Sequence, residues 1–86
     1  MKKKVTRVQT GVRIEKRMLK VLKALAEALD ISLGDLLEGI VLHAFDGKKS
    51  PFSEDTLRKI EQLKEVYGLD LTAADSHQLA EGDEEA

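Results

Sequence analysis

The sequence predicts a mainly helical chain with one short N-terminal β-strand. Three observations carry this. Residues 5–14, VTRVQTGVRI, alternate apolar and polar side chains with the period of a strand. Three later stretches repeat apolar residues at the i, i+3, i+4 spacing of a helix. No second stretch reads as a strand.

On the strand, Thr6, Val8, Thr10, Val12 and Ile14 share one face, suited to burial. Val5, Arg7, Gln9, Gly11 and Arg13 share the other, most of which requires water or a polar partner. The first helix is expected from Glu15 to Leu29, with Met18, Leu22, Leu25, Ala26 and Leu29 inward and Lys16, Arg17, Lys20 and Lys23 in water. It should stop near Asp30, although Gly is the usual residue just past a helix end. Ser32 opens the second helix as its cap, with Asp35 three residues on. Leu33, Leu36, Leu37, Ile40, Val41, Ala44 and Phe45 form its apolar stripe, and Gly47 ends it. Gly34 and Gly39 are weak helix formers, each costing about 1 kcal/mol relative to Ala. Ser53 should cap a third helix over 54–67, with Leu57, Ile60, Leu63 and Tyr67 inward and Gly68 as its stop. The organisation expected is a flexible basic arm at 1–4, a strand and two helices over 5–47, a loop and third helix over 48–71, and an acidic, disordered tail over 72–86.

Charge is segregated along the chain. Residues 1–23 carry nine Lys or Arg and one Glu, whereas residues 69–86 carry six acids and no Lys or Arg. The net charge of −2 hides a basic head suited to a polyanion. The absence of cysteine excludes disulfides and thiolate metal sites. The start MKKKVTR lacks the apolar run of a signal peptide, and no stretch approaches the ~20 apolar residues of a membrane span. The expected location is cytoplasmic, at the nucleoid. His43 and His77 lie far apart with no accompanying ligand set, so no metal and no cofactor is expected. No nucleophilic triad, phosphate loop or glycine fingerprint appears, and the chain reads as a non-enzyme.

A lone strand cannot satisfy its own backbone groups. A second copy, paired antiparallel across a two-fold axis, solves this. Strand, helix, short turn with Ser, helix: this order resembles the ribbon-helix-helix DNA-binding proteins, the Arc and methionine-repressor class. The likeness covers about residues 5–47, and LHAFDG at 42–47 is similar to the end of the second helix in methionine-repressor-like members. It implies an intertwined homodimer with an intermolecular antiparallel β-ribbon, to which this chain adds a C-terminal third helix. It also implies double-stranded DNA as partner, read in the major groove by Gln9, Gly11 and Arg13 with Arg7 at the edge. Arg can form a fork with guanine, and Gln with adenine. Phosphate contacts are expected from Lys2, Lys3, Lys4 and Arg17, and from the start of the second helix at Ser32, Leu33 and Gly34. Gly11 stands where the family usually has a side chain, and Thr10 where a larger apolar residue is common.

Such a protein would be a transcriptional regulator, such as a repressor, or a nucleoid-associated protein. Two alternatives belong to other classes. One is an antitoxin-like protein-interaction module. The other is a regulator whose Arg7, Arg13 and Arg17 hold an anionic nucleotide effector. The third helix could cover the dimer core or join dimers into tetramers.

Overall fold

The computed structural model describes residues 3–47 and 49–82. In chain order these form strand β1 (Lys3–Val5), helices α1 (Lys16–Ala28), α2 (Leu33–Phe45) and α3 (Glu54–Tyr67), a 3₁₀ turn (Ala73–Asp75) and strand β2 (Leu79–Glu81). The chain is mainly helical, with a short N-terminal strand that pairs with a late one. Among the described residues, no helix is long and apolar enough to cross a membrane.

Local chemistry sets the helix ends. Ser32 Oγ accepts from the Asp35 N–H at 3.0 Å, and Ser53 Oγ accepts from the Thr56 N–H at 3.2 Å. Each supplies a partner to an orphan donor of a first turn. Glu15 does the same for α1, its carboxylate accepting from the Met18 N–H at 2.9 Å. At the other end of α1, Asp30 adopts φ 59° in place of the usual glycine. The Ile31 N–H then reaches the Ala26 carbonyl at 3.0 Å and the Asp30 N–H the Glu27 carbonyl at 3.1 Å. This is a Schellman ending built on an aspartate, whose short polar side chain tolerates the left-handed region. Gly68, at φ 68°, closes α3 with the same pair of bonds.

Two expectations about the strand are corrected. First, β1 finds its partner inside the chain. It runs parallel to β2 in the register Lys3↔Leu79, Lys4↔Ala80 and Val5↔Glu81. The Lys3 N–H donates to the Gln78 carbonyl at 2.8 Å, and the Gly82 N–H to the Val5 carbonyl at 2.7 Å. A parallel pair needs a long crossover, and here three helices supply it. β2 is only three residues, too short to leave an alternating signature. Second, residues 6–15 contain no regular secondary structure, so the strand expected over 5–14 shrinks to an earlier one ending at Val5. A strand persists only where its backbone groups meet a ladder, and β2 reaches no further than Val5.

The same pairing revises both termini. Lys3 and Lys4 belong to β1 rather than to a flexible arm, and residues 73–75 and 79–81 of the expected disordered tail are ordered as the turn and β2. Lys2 and residues 83–86 lie outside the described residues.

The core is thin. Among the described residues, Ala26, Leu36, Leu42 and Ile60 are the buried hydrophobic ones, and no large side chain is fully enclosed. Ala26, Leu36 and Ile60 match the expected stripes, and Leu42 was not among them. Met18, Leu25, Leu29, Ile40, Val41, Leu63 and Tyr67 belong to the same stripes but stay exposed. The chain presents 7098 Å² of accessible surface. A compact monomer of its mass would present about 5,000 Å². Its radius of gyration is 14.1 Å, against about 12 Å for a compact chain of this length.

Candidate nucleic-acid interface

The expected base-reading residues sit on the stretch between β1 and α1. Gln9, Gly11 and Arg13 are exposed there. So are the apolar residues that alternate with them: Val8 is 80% and Val12 73% exposed. Both faces of this segment are therefore wet in the single chain. A Cβ on Gly11 would meet nothing within 4 Å. Its backbone is not left-handed either, since the positive-φ glycines are Gly47 and Gly68. Nothing among the described residues requires glycine here.

Arg7 behaves differently from its expected companions. Its Nε donates to Glu38 Oε2 and its Nη2 to Glu38 Oε1, both at 2.8 Å. A third contact runs from Nη1 to Glu81 Oε1 at 3.4 Å. The planar fork of Arg matches a carboxylate in this two-bond geometry. The hydrogen bonds to Glu38 are the main reason the guanidinium is held above its already high range, against the opposing effect of burial. Arg7 thus remains charged at any accessible pH and ties the start of the exposed segment to the middle of α2. As placed here, it is an anchor rather than a free base reader. Glu38→Gln should keep the shape and lose the charge pair. With both side chains about one-third exposed, the expected loss is about 1–2 kcal/mol. Urea denaturation of the variant beside the parent chain measures it.

The expected phosphate contacts divide into two groups. Lys3 and Lys4 lie on β1, with Lys3 Nζ 3.2 Å from Asp75 Oδ1. Arg17 stands in the first turn of α1, almost fully exposed, its Nε donating to Glu15 Oε2 at 2.8 Å. This bond is the main cause that holds the Glu15 carboxyl below its ordinary range. Ser32, Leu33 and Gly34 form the other group at the start of α2, where Gly34 is exposed. The first amides of a helix and its dipole favour an anion. Here Asp35 places a carboxylate in the same turn, and His77 Nδ1 lies 2.9 Å from its Oδ1. Among the described residues, no hydrogen bond or ion pair joins the α2 start to Gln9, Arg13 or Arg17.

Sequence reasoning did not single out Glu38, Glu81 or Asp75, and it weighed His77 only as a metal ligand. Their partners lie between 31 and 74 positions away, and no local spacing signals such a pair. Among the described residues, no three metal-ligating side chains converge. No family model, curated protein or solved structure matches the chain.

Proposed function

We propose that the chain is one half of a ribbon-helix-helix homodimer that binds double-stranded DNA, as a transcriptional regulator or nucleoid-associated protein. One observation carries this reading: over residues 8–13 the apolar and polar sides of a strand-patterned segment are exposed together. A second copy of the segment, paired antiparallel, would supply the missing ladder. Val8 and Val12 would then turn onto the helices, where Met18, Leu25, Leu29, Ile40 and Val41 offer uncovered apolar surface. Gln9, Gly11 and Arg13 of both chains would face outward.

A two-stranded ribbon fits the major groove, about 12 Å wide, and Arg and Gln are the side chains that read guanine and adenine there. Gly11, at the centre, would bring the ribbon backbone close to the base edges. Arg7, held by Glu38, sets where the ribbon begins. The role is binding rather than catalysis. The nucleotide reading weakens because Arg7 and Arg17 already have carboxylate partners, which leaves Arg13 alone of the three-arginine cluster.

The test is a fluorescence-anisotropy titration of labelled random-sequence duplex at several salt concentrations. The expected result is binding whose affinity falls steeply as salt rises, because neutralised phosphates release counterions. No binding at low salt by a folded dimer would overturn the reading.

A further inference from the structure

The chain after α3 does not trail away from the molecule. It turns back and docks at three successive points. At the first, the Thr72 N–H donates to Asp75 Oδ2 at 2.9 Å, and Asp75 also receives Lys3 Nζ. The Thr72 amide is the main cause that keeps the Asp75 carboxyl below its ordinary range, so it stays ionised near neutral pH. At the second, Ser76 and His77 cross α2 directly over Gly39. A Cβ there would stand 2.7 Å from Ser76 Oγ and 3.2 Å from His77 Cε1, so any larger residue would have to push the serine hydroxyl and the imidazole ring aside. His77 takes φ 63° to make it and points Nδ1 at Asp35. At the third, β2 lies along β1, and Glu81 reaches Arg7.

The targets of this clip are telling. Lys3, Lys4 and Arg7 are the cations of the described N-terminal segment up to residue 7, and the clip places a carboxylate on two of them. Its hold is shallow in several respects. The ladder is three residues long. The Arg7–Glu81 contact is long and its Glu81 side is mostly exposed, and exposed pairs contribute little. Ser76 Oγ is buried without a hydrogen-bond partner, which subtracts from the docking energy. A contact this weak, made by carboxylates on cations, yields to a denser polyanion.

We propose that residues 72–82 are an autoinhibitory clip, in which Asp75 and Glu81 occupy Lys3 and Arg7 and duplex DNA phosphates must displace them. The clip rests on the DNA-binding reading above and sets the threshold for it. Bound DNA and docked clip are alternatives at the basic head, while the Arg7–Glu38 fork persists in both states.

The test compares the full-length chain, the double variant D75N/E81Q, and a control, E65Q/D70N, that removes the same charge outside the clip. Each is titrated with labelled duplex DNA, and amide hydrogen exchange at Lys3 and Gly82 is followed with and without saturating DNA. D75N/E81Q is expected to bind about five- to tenfold tighter at low salt, with the gap closing as salt rises, and the control to bind much as the parent does. In the parent chain, DNA should accelerate exchange at both amides. Equal tightening by the control, or protection at Lys3 and Gly82 that DNA leaves unchanged, would overturn the clip while leaving DNA binding intact. Failure of all three chains to bind DNA would overturn the DNA reading itself, and the competition with it.

Discussion

Arg13→Ala should weaken binding to a preferred DNA site at least about thirtyfold. The figure follows from symmetry. One fork from Arg to guanine contributes about 1–3 kcal/mol of discrimination, and a dimer loses two of them. The lower bound of about 2 kcal/mol already corresponds to that ratio, at tenfold per 1.4 kcal/mol. Folding should be untouched, because Arg13 is exposed and has no hydrogen-bonding partner among the described residues. Arg13→Lys should recover only part of the loss, since an ammonium restores charge but not the planar fork. Anisotropy on a selected site and on random duplex separates the two roles. A base reader loses affinity mainly for the selected site, whereas a phosphate contact loses it equally for both. Unchanged affinity for both would remove Arg13 from the interface.

Val12→Asp is expected to abolish the dimer, and most of the folded state with it. In the single chain Val12 is 73% exposed. A substitution at so open a position normally shifts stability by no more than about 0.5 kcal/mol. In the dimer both copies would lie beneath the helices, and each new carboxylate would be buried without a cation. The effective penalty for an unpaired buried ion is several kcal/mol, doubled by the two-fold axis. A small domain with four buried hydrophobic residues among those described has no reserve to offset that. Sedimentation equilibrium and thermal melts at two protein concentrations give the result. The parent chain should sediment as a dimer and melt higher when concentrated. The variant should lose its cooperative transition. A monomeric parent, with a variant that melts at the same temperature, would end the dimer proposal.

The helices were legible because their signals are local. Ser53 and Gly68 bracket α3 at the expected residues, since a cap hydroxyl and a left-handed stop act over one turn. Asp30 shows the limit of such rules: the ending is the one glycine usually makes, reached through a residue that merely tolerates it. The strand was legible only as a pattern. Alternation over 5–14 states which faces the segment can offer, not which edge it meets, and within the chain β2 meets only Lys3–Val5.

The candidate site divides in the same way. Gln9, Gly11 and Arg13 are exposed, but so are Val8 and Val12 between them, whereas Arg7 is held by Glu38. Its partners stand 31 and 74 residues along the chain, and pairs at that distance form only after the backbone has been placed.

By itself, then, the sequence determined the three helices, the serine caps of the second and third, the basic head and the acidic end. These depend on side-chain periodicity and on hydrogen bonds within a few residues. Only the tertiary structure decided that the acidic end returns to the basic head, that Gly39 is its seat, and that Arg7 belongs to Glu38. The reason is physical. Opposite charge at the two ends makes a contact favourable in general, but a particular pairing needs shape: a glycine-wide gap on α2, a left-handed turn at His77 and a free edge on β1.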